Sequence, residues 1–310
     1  MANTALPGRP PAESICLTVP EQDRNSAAPK RKRRLRFTPV IVTNAFIGIL
    51  VFSSLVFLEY GPTPETKLGF YCKDPSISLP YNGDSISLFL VLGGSIFGPL
   101  LLITAIELYI SKCFNKRLST EIWFWFRDFM IGLIFNLVLI QVSKVLFGEH
   151  RPHFLDTCSP DTGETCQPGE FVPEYKCTNP LYSNYVIVDS SRSFPSGHAS
   201  VSVYTSLFCA FYVQARLTSL HLRSVIKPFI IVCLLFWTVI CSVTRITDYR
   251  HHWWDVVGGL VLGVACVLYT IITLSKPAQL SLESSKTHRP SASTTTLLDI
   301  KNKDATSVII

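Results

Sequence analysis

The chain has 310 residues, 48% of them apolar and 16% charged, with a formal net charge of +6. Soluble domains carry about 25% charged residues, so the deficit excludes an ordinary soluble protein and points to a bilayer. Much of the positive excess is one block ahead of the first apolar run, which favours a topology signal over a nucleic-acid surface.

Residues 1–36 are polar, rich in Pro and Ser, and end in Lys30-Arg31-Lys32-Arg33-Arg34 and Arg36. They read as a disordered, basic, cytosolic segment. No cleavable signal peptide is expected, because the polar stretch is long and the apolar run after it is long enough to span. Six spans are predicted at about 38–58, 86–110, 128–147, 199–214, 226–244 and 255–275, set against the roughly 20 residues a spanning helix needs. The expected class is all-α: a polytopic membrane protein with six transmembrane helices in one domain, 37–276. A disordered tail, 277–310, follows. Lys112, Lys116, Arg117 and Arg127 flank the second and third spans, and Arg216, Arg223 and Lys227 the fourth and fifth. The loop from Glu59 to Ser85 is net acidic. The basic connections therefore share the cytosol with both termini, and the loops 59–85, 148–198 and 245–254 face outside or a lumen.

Cys72, Cys158, Cys166 and Cys177 fall in those outward loops, where disulfides persist. At least one bridge is expected within 148–198, with connectivity open. Cys209, Cys233, Cys241 and Cys266 read as thiols in or near spans, and the absence of a tight Cys pair disfavours zinc. The C-terminal Val308-Ile309-Ile310 could be captured by a strand-adding peptide-binding domain, against the plainer reading of a free tail.

Three stretches carry chemistry. In the first, Lys144 and Arg151 are nearly two helical turns apart, so on a continuous helix they would share a face, with Pro152 marking its end. The competing reading is that both cations snorkel to headgroups. In the second, Pro195-Ser196-Gly197-His198 resembles a helix start, with Ser196 as a cap, Gly197 allowing close approach of a ligand, and free N–H donors suited to phosphate. In the third, Arg245 precedes His251 and Asp255, which if helical lie on one face within hydrogen-bonding reach. An interfacial aromatic belt explains Tyr249, Trp253 and Trp254 but not a carboxylate entering a span. All three stretches fall on the outward face. Cations, a helix N-terminus and two histidines together suit phosphoryl transfer without a metal or other cofactor.

These stretches resemble the three motifs of the type 2 phosphatidic acid phosphatases. Arg-Pro-His-Phe-Leu at 151–155 and Gly-Phe-Tyr-Cys at 69–72 are similar to the animal lipid phosphate phosphatases in particular. The resemblance covers about 37–276 and implies a six-helix membrane fold with an outward site. It implies His251 as nucleophile, Asp255 as its orienting partner, and His198 as the acid that protonates the leaving oxygen and then activates water. Lys144, Arg151, Ser196, Gly197 and Arg245 would hold the phosphate. The implied substrates are lipid phosphate monoesters: phosphatidate, lysophosphatidate, ceramide 1-phosphate and sphingosine 1-phosphate. The plasma membrane is the expected location, with endomembrane as the alternative, and homo-oligomers are allowed. A lipid phosphotransferase and a non-catalytic scaffold are the competing functions. Thr244 stands where the motif usually has Ser, and the chain has no Asn-x-Ser/Thr sequon. His153 is expected to pack and His252 to sit at the interface; Glu107, Asn136 and Gln141 are expected to hydrogen-bond between helices.

Overall fold

The computed structural model describes residues 48–51, 53–57, 68–114, 118–217 and 225–275. Both tails, the basic block and much of the expected first span lie outside the described residues, although residues 48–51 and 53–57 of that span are helical. In chain order the elements are β1 (Phe70–Tyr71), α1 (Leu88–Phe114), α2 (Leu118–Phe147), the short α3 (Phe154–Cys158), β2 (Phe171–Val172), the short α4 (Asn184–Asp189), α5 (Gly197–Arg216), α6 (Ile226–Thr247) and α7 (Trp253–Leu274).

Helices α1, α2, α6 and α7 are long and apolar enough to cross a membrane. Helix α5 is too polar for that criterion, carrying Ser200, Ser202, Thr205 and Ser206. Its 20 residues still reach about 30 Å. It touches each of the other four long helices, so its flanks face protein instead of lipid, and Ser200 and Ser206 find partners there. Tyr204 donates to the Phe129 carbonyl at 2.8 Å, and Ser200 to Asn136 Oδ1 at 2.8 Å. Glu107 on α1 accepts from Tyr212 at 3.0 Å and from Arg216 Nε at 2.6 Å. Glu107 and Asn136 thus cross-link helices, as their placement within spans suggests. The chain is an all-α polytopic membrane protein.

Helix α5 packs closely on α7. A Cβ added at Gly259 would collide with the Ser196 carbonyl, and one at Gly263 with the Ser200 carbonyl. Small residues four apart let the two backbones meet. Three expected boundaries shift, the first being the end of α1, at Phe114 instead of near 110. Helix α2 begins at Leu118 instead of near 128, because Arg127 and Asp128 pair with each other at 2.6 Å and stay inside the helix instead of flanking it. Helix α6 runs on to Thr247, which puts Arg245 in its last turn.

A small cap covers one end of the bundle. Strands β1 and β2 pair antiparallel, Phe70 opposite Val172. Phe70, Ile77, Phe154, Cys158, Val172 and Tyr175 form its core. Disulfides join Cys72 to Cys166 and Cys158 to Cys177. The cap also fixes the segment after α2: Leu79 N–H donates to the Pro152 carbonyl at 2.8 Å, and Tyr81 N–H to Asp156 at 2.9 Å.

Candidate active site

The cap end of the bundle collects the three chemistry-bearing stretches. It receives the last turns of α2, with Lys144, and α6, with Arg245, and the first turns of α5 and α7. Ser196 N–H donates to the Asp255 carbonyl at 3.0 Å, tying the start of α5 to that of α7. The Ile86 carbonyl lies within hydrogen-bonding reach of His198 Nε2 (3.0 Å) and accepts from Arg245 Nη2 (3.1 Å). The backbone N–H of His251 donates to the Arg245 carbonyl at 3.1 Å. His198, Arg245 and His251 are therefore held by one short web of contacts.

Three local readings of the sequence need correction. Lys144 and Arg151 do not share a helical face: α2 ends at Phe147, and Gly148, at φ +57°, turns the chain away. The two cations converge through Asp189 instead, and Arg151 is buried, which rules out snorkelling for it. Ser196 holds the cap position of α5, but its side chain makes no cap bond; its buried hydroxyl has no hydrogen-bond partner among the described residues. His251 and Asp255 are not on one helix, because α7 starts at Trp253 with His252 as its cap. His251 Nδ1 stands 3.6 Å from Asp255 Oδ2, beyond direct hydrogen bonding. Ser193 fills the gap, its hydroxyl 3.3 Å from His251 Nδ1 and 2.5 Å from Asp255 Oδ2. Asp255 Oδ2 also accepts the His252 N–H at 2.9 Å, while Oδ1 has no hydrogen-bond partner among the described residues.

Burial, then the Arg151 cation, pushes His251 well below the usual imidazole range, so the ring is neutral. With Nδ1–H donating to Ser193, the lone pair is left on Nε2. His153 is equally closed off: its Nδ1 meets the Tyr249 carbonyl at 2.9 Å, its Nε2 faces Arg250 Nη1 at 3.4 Å, and burial with Arg151 lowers it to about 3. It packs, as expected. His252 stacks on Trp254 at 4.4 Å and reaches the Ser76 carbonyl at 3.1 Å.

Three cations line the site, but much of their hydrogen-bonding capacity is used. Arg151 donates from Nε to the Asp189 carbonyl (2.8 Å) and from Nη2 to Asp189 Oδ1 (2.6 Å). Arg245 donates to Asp84 Oδ1 at 2.6 Å and Asp248 Oδ2 at 3.1 Å, while its Nε has no hydrogen-bond partner among the described residues. Lys144 borders a small cleft with Tyr185, Val188, Asp189 and Arg192. An added Cβ at Gly197 would first meet Ile140 Cγ2 at 3.6 Å, ordinary contact, so packing does not demand glycine there. Glu149, His252 and Asp255 each bring a ligand-type atom within 4.8 Å of the others. There the Asp255 oxygen already serves Ser193 and a backbone N–H, and Glu149 accepts from Trp254 at 2.7 Å.

The PAP2 superfamily model matches residues 125–277, the segment that carries all three stretches. Phospholipid phosphatase 1 of Mus musculus is 30% identical over 254 residues, covering 79% of this chain and 86% of that protein. Phospholipid phosphatase 2 of Homo sapiens is 32% identical over 282 residues, covering 86% and 94%. The chain belongs to the PAP2 superfamily. Phospholipid phosphatase 2 of Rattus norvegicus is similar too, 32% identical over 246 residues, covering 75% and 87%. No solved structure matches the chain. In this PAP2-superfamily chain several site residues escape sequence reasoning: Ser193, Asp189, Arg250, Asp84 and Asp248. Ser193, Asp189, Arg250 and Asp248 lie in or near a motif and Asp84 far from all three, but nothing in their spacing marks them, since the partners of Asp84 and Asp189 are distant in sequence.

Proposed function

We propose that the chain hydrolyses lipid phosphate monoesters through a phosphohistidine at His251. The observation that carries this reading is a neutral, buried His251 held on its Nδ1 side by Ser193 and Asp255, at the bundle end where His198 stands in the first turn of α5. Nε2 attacks phosphorus as the bond to the lipid oxygen breaks, and Asp255 stabilises the imidazolium through Ser193. His198, in the imidazolium form that a bound phosphate anion favours, gives its Nδ1 proton to the leaving oxygen. Its Nε2 faces the Ile86 carbonyl, so Nδ1 is the nitrogen left to exchange that proton. Water then attacks phosphorus, passing a proton back to His198, and the P–N bond breaks to release phosphate. Lys144, Arg151, Arg245, the Ser196 hydroxyl and the N–H groups opening α5 stabilise the equatorial oxygens.

The substrates proposed are phosphatidate, lysophosphatidate, ceramide 1-phosphate and sphingosine 1-phosphate; the relatives are named for phospholipid phosphatase activity. The site faces away from the cytosol, at the plasma membrane, with both termini cytosolic. Two disulfides in the cap support that side, since such bonds persist in oxidising compartments. Phosphate release from these four lipids, given to sealed and to permeabilised cells, tests substrate and sidedness together. Release by sealed cells that His251→Ala abolishes is the expected result. Release only after permeabilisation contradicts the orientation, and full release by His251→Ala contradicts the mechanism. A new phosphodiester in place of free phosphate would make the chain a phosphotransferase.

A further inference from the structure

The arginines Arg151 and Arg245 come from different motifs, and a run of alternating charges joins them. Arg151 Nη2 lies 2.6 Å from Asp189 Oδ1, and Asp189 Oδ2 lies 2.9 Å from Arg250 Nη2. Arg250 Nε lies 3.1 Å from Asp84 Oδ1, which is 2.6 Å from Arg245 Nη1. All three guanidinium groups are buried, so each needs a counter-charge. Asp189 sits at the hub of this run. It gives one carboxylate oxygen to each of two arginines, and its own carbonyl accepts from Arg151 Nε at 2.8 Å. That grips Arg151 as a fork, along the one edge that Nε and Nη2 share. A third contact, Arg151 Nη1 to the Arg250 carbonyl at 3.4 Å, places the guanidinium against the backbone next to His251. Burial alone would raise the Asp189 carboxyl, but Arg151, then Lys144 and Arg250, hold it far below the usual range, so it is ionised. It also borders the cleft that Lys144 and Arg192 line.

We propose that Asp189 is a positioning residue for the phosphoryl site: it orients Arg151 by dividing its carboxylate between Arg151 and Arg250, and it offsets positive charge beside the bound phosphate. The proposal rests on the phosphohistidine reading above. It explains how a site with so many cations releases a doubly charged product. A carboxylate next to the cations weakens their hold on free phosphate, while the fork keeps Arg151 aimed for the transition state.

Asp189→Asn keeps the shape and one acceptor oxygen but removes the charge. In the full chain, in mixed micelles with phosphatidate, kcat should fall by about ten- to hundredfold. The inhibition constant for inorganic phosphate should fall as well, by about threefold or more, because a negative neighbour is gone. A residue needed only for folding would not tighten product binding. Arg250→Gln should cost activity in the native background and much less on top of Asp189→Asn, since Arg250 acts here through Asp189. If Asp189→Asn does not fold, the charge-balanced double variant provides the protein for the kcat measurement, with a similar loss expected, about tenfold at least. A kcat within about twofold of native for either variant overturns the proposal, as does weaker phosphate inhibition in Asp189→Asn. Failure of the underlying mechanism reads differently: native protein would then take no label on His251 from phosphate-labelled substrate, whatever Asp189→Asn does.

Discussion

Helices α5 and α6 lie side by side, 20 and 22 residues long, and carry their side chains in opposite ways. Helix α6 turns Phe229, Val232, Phe236 and Val239 outward and buries Thr238, Ser242 and Arg245. Helix α5 is buried along most of its length, with Ser200, Tyr204, Ser206 and Tyr212 bonded to neighbouring helices. The difference teaches that hydropathy in a bilayer protein reports contact with lipid, not whether a helix crosses. Where no water is available, a polar side chain survives only beside a partner, so polar residues gather where helices meet. The helix least apolar in composition is the one whose first turn opens the candidate site.

The largest effects should fall at that first turn. Gly197→Ala has room in the protein, with Ile140 Cγ2 3.6 Å from the added carbon. Stability in micelles should change by less than about 0.5 kcal/mol, while kcat/KM for phosphatidate falls by about a hundredfold as the phosphate loses its seat on the α5 N–H groups. Unchanged activity would remove the phosphate from that position. Next comes the α5–α7 seam. Gly259→Val drives a side chain into the Ser196 carbonyl and should destabilise by about 1–3 kcal/mol, read as a lower melting temperature in detergent.

The histidines at the cap end give a pH effect. His153 is lowered to about 3 and His251 well below its usual value, against about 6.5 in an unfolded chain. Between those values the unfolded chain binds protons that the folded chain refuses. Stability is therefore full above about pH 6.5 and is lost as pH falls, by up to about 1.4 kcal/mol per pH unit per histidine. Replacing His153 with Gln should flatten the melting-temperature profile between pH 6 and 4. The smallest effects belong to α6. Thr238→Val removes bonds to Ser206 Oγ (2.8 Å) and the Ser202 carbonyl (3.2 Å) and should cost about 0.6 kcal/mol. Phe236→Leu on the outward face should cost less still, and a larger loss there would show that α6 packs against something other than lipid.

The fold was legible in the sequence where apolar length and flanking charge speak together. Helices α1, α6 and α7 begin within two residues of where the pattern puts them, and α5 extends two beyond it at each end. The start of α2 was missed because Arg127 and Asp128 look like a boundary until they are seen to neutralise each other. The site was legible as a set of residue types gathered at one end, and less so in its geometry. Helical spacing suggests a direct bond from His251 to Asp255, whereas the chain turns between them and Ser193 fills the gap. Asp189 and Asp84 gave no signal, because a salt bridge across the fold has no period along the chain. The disulfide partners were open for the same reason.

The central claim is that phosphate passes through His251. Brief mixing of the purified chain with phosphatidate carrying labelled phosphate, followed by alkaline quench and peptide mapping, tests it most directly. The account predicts label on the peptide that contains His251, base-stable and acid-labile, increased in His198→Ala and absent in His251→Ala. Rapid phosphate release with no labelled peptide at any quench time would contradict it.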